Sequence, residues 1–272
     1  MSLPPENPLP DRLSAVELAP PIPHAPERGE DPPWSAWDVL RILFVALFVI
    51  VVCSFGMMWF AMHDRAFSGM PMVDLARDPL VIIPAQLFAY IVLVIFMYRM
   101  VTREYHQPFL RAVRWLWPSG HWAAFVALGV ALAVSGQLLS ALLPVPKSLP
   151  IDQFFRTRAG AYVMAIFGVT VAPFVEELFF RGFLYPVLAR RLGSLGGIVL
   201  TALAFALVHA SQLAHAWGPL LVLFVVGSVL TAVRAVTKSV AASMLVHIGY
   251  NLTLFTMLYF ASQHFRHFDR MT

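Results

Sequence analysis

Long apolar runs, separated by short polar segments, occupy most of the chain from residue 39 onward. A helix that crosses a lipid bilayer needs about 20 mainly apolar residues, and each run is close to that length or longer. The pattern therefore predicts an all-α fold, a polytopic transmembrane helical bundle of about seven spans, with eight as the alternative. The predicted spans cover residues 39–62, 79–100, 121–143, 160–188, 194–213, 217–235 and 239–262.

Composition divides the chain into four regions. Residues 1–36 hold ten of the 21 prolines, and because proline disfavours helix and this stretch has no apolar run, we predict a disordered tail there. Residues 37–148 carry the first three spans, 149–265 carry the other four, and 266–272 form a C-terminal tail. The polar stretch IDQFFRTRAG, early in the third region, is predicted to form a short interfacial helix.

Residue content agrees with a membrane protein, since 59% of the residues are hydrophobic and only 12% are charged, against about 25% charged in soluble domains. We expect an integral protein of a bacterial-type plasma membrane, with the lipid bilayer as a partner. The net charge of +4 does not indicate nucleic acid, because the basic residues cluster between apolar runs, as in membrane loops. Their distribution favours a cytoplasmic N-terminus. Cys53 is the single cysteine, so an intramolecular disulfide is excluded. The sequence specifies no oligomeric state.

Polar residues of potential function fall inside three of the C-terminal runs. Placing a charged group at membrane depth costs at least a few kcal/mol of free energy. Several such groups within apolar runs therefore indicate a functional site. The runs of the N-terminal half carry almost no ionisable group at their centres. The residues are Glu176, Glu177 and Arg181 in the fourth run, His209 in the fifth, and His247 and Asn251 in the seventh.

Helical spacing assigns these residues to faces. Glu177 and Arg181 are four residues apart, so they share a face and can pair. Glu176 lies about 100° further round the helix, away from that pair, where a carboxylate can act as a general base. His247 and Asn251 are also four residues apart and can point into one cavity.

Three short motifs carry a resemblance to a known family. EELFFR at 176–181, FALVH at 205–209 and HIGYN at 247–251 resemble the EExxxR, FxxxH and HxxxN motifs of the CPBP family. That family includes type II CAAX prenyl proteases, bacteriocin-processing enzymes and proteins like lysostaphin resistance protein A. The motifs also follow the family's order. The resemblance covers about 150–262 and implies a CAAX-protease-like catalytic region over residues 149–265.

This resemblance implies an intramembrane endopeptidase whose partners are membrane-associated peptides or proteins, prenylated or not. Glu176 and His209 would activate a water molecule for attack on a peptide carbonyl. His247 and Asn251 would hold the oxyanion that develops. The supporting residues that the resemblance implies are Glu177, Arg181 and Phe205.

Zinc is the alternative to a metal-independent mechanism. Glutamate and histidine are competent zinc ligands, and if zinc is present its ligands would be Glu176, His209 and His247. The chain has no HExxH motif, the helical signature of zinc proteases. We therefore expect no cofactor.

Two other classes of function use similar residues. A proton- or cation-coupled transporter would bind or relay its ion through the glutamates and histidines, but the chain shows no internal repeat of the kind that many transporters have. A non-enzymatic membrane chaperone or bacteriocin-immunity protein would keep the fold and could lose the motifs. All three motifs are intact, which favours the peptidase.

Overall fold

The computed structural model describes residues 32–266, and every regular element within this range is helical. Residues 1–31 and 267–272, which make up most of the two predicted tails, lie outside the described residues. The α-helices are α1 (Ala36–His63), α2 (Met72–Leu75), α3 (Pro79–Arg99), α4 (Phe109–Ala112), α5 (Trp122–Ala141), α6 (Arg158–Val169), α7 (Val171–Glu177), α8 (Tyr185–Val208), α9 (Trp217–Thr237) and α10 (Val240–Ala261). Segments with π-helical turns cover Met100–Glu104 and Leu178–Leu184, and 3-10 turns cover Arg65–Phe67, Pro150–Phe155 and Ala210–Leu213.

Six helical stretches of the described chain are long and apolar enough to cross a membrane. One of them, Arg158–Val208, has 51 residues, about twice what a single crossing needs. Gly193 interrupts this stretch with φ 72° and ψ 169°, a conformation that is essentially confined to glycine. A Cβ atom on Gly197 would lie 2.9 Å from the backbone of Ala189, so the chain reverses here. The predicted polytopic helical bundle is confirmed, and the six stretches accommodate seven crossings.

The predicted fourth span, 160–188, is not one continuous helix. After α6 the backbone departs from helical geometry at Thr170, where φ is −113° and ψ is −69°. Pro173 lies in the first turn of α7, where its missing N–H group is tolerated. The segment Leu178–Leu184 then widens into π-helical turns. The two adjacent glutamates therefore lie between a helix break and a widened segment.

Two further boundaries differ from the prediction. The fifth span ends at Val208 rather than at residue 213, and His209 is the C-terminal cap of α8. The interfacial helix expected in IDQFFRTRAG is a 3-10 turn, Pro150–Phe155, and α6 begins at Arg158 after two connecting residues. Both shortened elements lie next to the cavity described below, where irregular backbone replaces regular helix.

Close contact between α5 and α10 fixes the helix that carries the HIGYN motif. A Cβ atom on Gly249 would lie 2.5 Å from the carbonyl oxygen of Val126, and one on Gly129 would overlap the carbonyl oxygen of Val246. The two glycines let the backbones approach more closely than any larger residue would permit, as small residues do in membrane helix pairs.

The packed body of the protein begins before α1. Trp34 is 1% exposed, and its Nε1 donates to the carbonyl oxygen of Phe183 over 3.1 Å. Arg190 donates to the carbonyl oxygens of Pro32 and Trp34 over 2.9 and 3.1 Å. Pro32 and Trp34, which were predicted as part of the tail, thus dock on the widened segment and on α8.

Candidate active site

Local breaks in helical geometry set the position of the two adjacent glutamates. Glu176 and Glu177 end α7, directly before the π-helical segment Leu178–Leu184. Such segments disturb helical register and occur frequently at functional sites. The helix break that precedes α7 is tied to α10, because Asn251 Nδ2 donates to the carbonyl oxygen of Gly168 over 2.6 Å. The backbone on both sides of the glutamates is therefore held in a specific, non-regular form.

Glu177 is fully buried, and three side chains bond its carboxylate. Arg181 Nη1 donates to Oε1 over 2.9 Å, and His247 Nδ1 lies 2.9 Å from the same oxygen. Ser243 Oγ donates to Oε2 over 2.6 Å. A buried carboxylate needs a partner charge and hydrogen bonds to offset its lost hydration. The predicted Glu177–Arg181 pair is present, and the serine and the histidine complete the set.

Arg181 is also fully buried, and two more of its N–H groups bond to α9. Its Nε donates to Thr231 Oγ1 over 3.3 Å, and its Nη2 donates to the carbonyl oxygen of Gly227 over 3.1 Å. The guanidinium carbon lies 4.7 Å from the centroid of the Phe205 ring on α8, a cation–π distance. The charge pair therefore joins the widened segment to α8, α9 and α10.

His247 lies between the two glutamates. Its Nδ1 contacts Glu177, and its Nε2 lies 3.7 Å from Glu176 Oε2. An ionised carboxylate only accepts hydrogen bonds, so the short contact to Glu177 places a proton on Nδ1. The side chain of Glu176 is 18% exposed, whereas that of Glu177 is 0% exposed. Glu176 is therefore the glutamate that reaches open space, as the helical spacing predicts.

His209 and Phe205 form a second wall of the site. His209 Nδ1 lies 2.7 Å from the carbonyl oxygen of Phe205. Because a carbonyl oxygen can only accept a hydrogen bond, Nδ1 carries the proton, and Nε2 of the neutral ring is left with a lone pair. The Phe205 ring centroid lies 4.9 Å from the ring centroid of His209 and 5.8 Å from that of His247. Phe205 thus contacts both histidines as well as Arg181.

One cavity of about 510 Å³ brings the four predicted catalytic residues together. Glu176, His209, His247 and Asn251 all line it, although they come from three separate segments of the chain. Its other walls come mainly from α3, α5, α6, α9 and the segment 149–155 before α6, and they are mostly apolar. The polar lining residues apart from those four are Gln86, Gln137, Ser140, Gln212 and the hydroxyl-bearing Tyr250.

The candidate zinc ligands do not form a metal-binding group in the part of the chain that the structure describes. No three His, Cys, Asp or Glu side chains there are grouped closely enough to hold an ion. His247 Nδ1 is bonded to Glu177, and His209 Nδ1 to a carbonyl oxygen. Both bonds leave Nε2 as the second nitrogen of each ring, and no step below is derived through a metal.

Ser243 and Thr231 belong to the site but lie outside the three motifs, so the motifs did not predict them. Ser243 lies four residues before His247, so Ser243, His247 and Asn251 form one stripe on α10. That spacing could have drawn attention to Ser243, because it repeats the i, i+4 relation of HIGYN. Thr231 lies in the sixth apolar run, and only the packing of α9 against Arg181 shows its role.

These observations define a class of protein. It is an integral membrane protein, a polytopic helical bundle whose core holds a buried carboxylate–arginine pair beneath a glutamate and two histidines. Within that class, residues 158–253 match the family model of the type II CAAX prenyl endopeptidase Rce1-like proteins. The resemblance predicted from the three motifs is confirmed over this part of the chain, which includes all of them. At the level of the family, the match supports a CAAX-type membrane protease, a hydrolase. No curated protein and no solved structure matches the chain.

Proposed function

We propose that this protein is an intramembrane endopeptidase that hydrolyses membrane-associated peptides with a water molecule activated by Glu176 and His209. The observation that carries the proposal is the convergence of Glu176, His209, His247 and Asn251 on one largely apolar cavity. Peptide hydrolysis needs a base for water and donors for the oxyanion, and these four side chains can supply both.

In the proposed mechanism, Glu176 is the general base. As the water oxygen bonds to the peptide carbonyl carbon, the carboxylate of Glu176 takes the water proton. It then returns a proton to the amide nitrogen as the C–N bond breaks. His209 Nε2, with Nδ1 held by the Phe205 carbonyl, can accept a hydrogen bond from the same water and orient it.

His247 and Asn251 are the proposed oxyanion donors. Asn251 has two amide N–H groups; one is held on the Gly168 carbonyl, which fixes the amide plane and leaves the second for substrate. His247 would donate through Nε2, which requires the doubly protonated ring. Glu177, bonded at Nδ1, stabilises that cation because it presents a negative charge at the opposite nitrogen.

The proposed protonation states balance charge inside the membrane. Glu177 pairs with Arg181 over 2.9 Å, and Glu176 lies 3.7 Å from His247 Nε2. With His247 protonated, two negative groups face two positive ones, and the site is neutral as a whole. Neutrality limits the desolvation cost of charges in an apolar bundle.

The cavity walls favour an apolar substrate segment. Ile82, Ile83, Phe167 and Leu254 are among the apolar residues that line the cavity outside the motifs. We propose that the substrate is a peptide that brings an apolar group into the bilayer, and a prenylated cysteine peptide is the first candidate. We also propose that the reaction needs no metal, because the described residues include no three His, Cys, Asp or Glu side chains grouped closely enough to hold an ion.

Cleavage of a fluorogenic prenylated peptide by the purified protein in detergent tests the proposal. Wild type and Glu176→Ala are compared, each with and without a metal chelator. We expect wild-type cleavage to persist with chelator and to fall by at least about 100-fold in the variant, the contribution of a general base. Loss of activity with chelator would reject the metal-independent mechanism. An unchanged rate for Glu176→Ala would reject the role of Glu176.

A further inference from the structure

A second concave site lies beside the cavity that Glu176 lines. Its volume is about 880 Å³, and Leu149 and Phe155 belong to the walls of both spaces. The two sites are therefore neighbours, one among the membrane helices and one among the loops at their ends. We call the second site the basic pocket because three arginines line it: Arg77, Arg156 and Arg266.

Helix packing brings the three arginines together from distant parts of the chain. The rings of Phe155 and Phe265 are in contact, with centroids 6.3 Å apart. In the sequence, Arg156 follows Phe155 and Arg266 follows Phe265. The contact between the two rings therefore brings these two arginines to the same end of the bundle. Arg77 comes from the segment between α2 and α3, and α3 packs against α6, the helix that follows Arg156. The cluster is thus built by the fold and is not a local run of basic sequence.

The basic pocket carries an excess of positive charge. Asp152 is the one acidic residue in its described lining, and the carboxylate of Asp152 accepts a hydrogen bond from the N–H of Leu149 over 2.6 Å. Within residues 32–266, none of the three arginines makes an ion pair within 4.0 Å. Concave surfaces lined by one sign of charge concentrate ligands of the opposite sign.

Arginine guanidinium groups recognise carboxylates specifically, because their planar N–H donors match two carboxylate oxygens at once. Since the pocket adjoins the candidate catalytic cavity, a peptide that fills the cavity can continue into the pocket. From His247 to the end of α10 at Ala261 the helix has 14 further residues, or about 21 Å of rise. An extended peptide covers that distance with about six residues.

We propose that the basic pocket binds a carboxylate of the peptide substrate, about six residues from the scissile bond. This inference rests on the proposed endopeptidase function and adds a charge preference to it. A lipid phosphate is chemically similar, but the shared wall with the cavity favours the peptide as occupant. Substrates with an acidic residue at that distance should bind more tightly than neutral ones.

Binding of two matched peptides tests this proposal without relying on turnover. Each has blocked termini, a central S-farnesyl cysteine and a fluorophore, and carries either glutamate or glutamine about six residues from the cysteine on both sides. Fluorescence anisotropy is measured in neutral detergent at low salt with Glu176→Gln, so that neither peptide is cleaved. The same measurement is made with R156Q and R266Q added together, and with R158Q added as the control, because Arg158 is exposed and does not line the pocket.

We expect the glutamate peptide to bind about tenfold more tightly, as for a charge-assisted contact. That preference should nearly vanish in the R156Q/R266Q protein and remain with R158Q. Equal binding of the two peptides, binding of neither, or a preference that survives R156Q/R266Q overturns the proposal. If phosphatidylglycerol raises the melting temperature through the same two arginines while the peptides bind equally, the occupant is a lipid headgroup and the proposal is wrong.

Cleavage of the same peptides by wild type separates the two proposals. Cleavage of both at equal efficiency, together with equal binding, leaves the endopeptidase standing and removes the charge preference. Charge-selective binding without any cleavage supports the subsite and counts against the endopeptidase.

Discussion

At the scale of single residues, Glu177 and Ser243 determine how His247 is presented. Glu177 is 0% exposed and accepts from Arg181 and Ser243, with His247 on the same oxygen as the arginine. Each donor restricts where the carboxylate can sit, and the carboxylate in turn fixes the imidazole ring. We therefore propose that Ser243 acts on the chemistry through two other groups, as a positioning residue.

Replacing Ser243 with alanine should lower kcat by about 10- to 100-fold and leave KM nearly unchanged, because a hydrogen bond to a charged group contributes about 1.5–3 kcal/mol. The steady-state parameters on a prenylated peptide are the measurement. Ser228→Ala is the matched control, since Ser228 Oγ donates only to a carbonyl oxygen of its own helix, that of Phe224. If the melting temperature falls equally in the two variants and kcat shows no selective loss in Ser243→Ala, the positioning role of Ser243 is contradicted and its role is structural.

The motif residues could be predicted from the sequence, whereas their bonding could not. Spacing of four residues predicts the Glu177–Arg181 pair, and the pair is present. The contact of His247 with Glu177 depends on how α10 packs against α7, which no periodicity within one helix describes. The same is true of Asn251. Its hydrogen bond to the Gly168 carbonyl, at the end of α6, depends on how α6 and α10 pack together.

At the scale of secondary-structure elements, glycines at helix contacts decide how closely the catalytic helices approach. Gly249 lies in the HIGYN motif between His247 and Asn251, and its α-carbon faces the backbone of Val126 on α5. A side chain at this position would push α10 away from α5 and shift both motif residues.

Gly249→Ala should therefore destabilise the protein by about 1–3 kcal/mol, as overpacking does, and lower its activity. Gly56→Ala on α1 is the matched control, since a Cβ atom there would have no neighbour within 4 Å. The control should be neutral or slightly stabilising, because alanine favours helix by about 0.5–1 kcal/mol over glycine. Melting temperatures in detergent measure both variants, and equal values for the two would contradict the close-contact account.

Hydropathy predicted where helices occur but not where they break. The run 160–188 is apolar throughout its length apart from the motif, so its pattern contains no signal for the break at Thr170 or for the π-helical segment after Glu177. Pro173 is a helix-breaking residue that the sequence does show, whereas the bond from Asn251 to the Gly168 carbonyl depends on how α10 packs against α6. The reversal at Gly193 falls in the gap between the predicted fourth and fifth spans, 160–188 and 194–213.

At the scale of the whole molecule, the reversal at Gly193 determines how many times the chain crosses the membrane. If Arg158–Val208 crosses twice, the loops before α6 and after α8 emerge on the same side. Their contact supports this, because Ile151 and Gln212 line the same cavity. We also propose that the N-terminus is cytoplasmic, from the distribution of basic residues.

Cysteine labelling in a Cys53→Ser background tests both statements. An impermeant maleimide added to intact cells should label cysteines at positions 148 and 211 and should not label those at 119 and 194. The native residues there are the exposed serines Ser148, Ser211, Ser119 and Ser194. Labelling of 148 and 211 from opposite sides would contradict the double crossing, and the fully inverted pattern would contradict only the orientation.

We propose above that Glu176 performs the chemistry and does not merely bind the ligand. The most direct test measures cleavage and binding of one prenylated peptide by wild type and Glu176→Gln, which keeps the shape and hydrogen-bonding capacity of the side chain. We expect kcat to fall by at least about 100-fold and the dissociation constant to change by no more than about threefold. Cleavage by Glu176→Gln at close to the wild-type rate would contradict this proposal, and so would a loss of binding as large as the loss of cleavage.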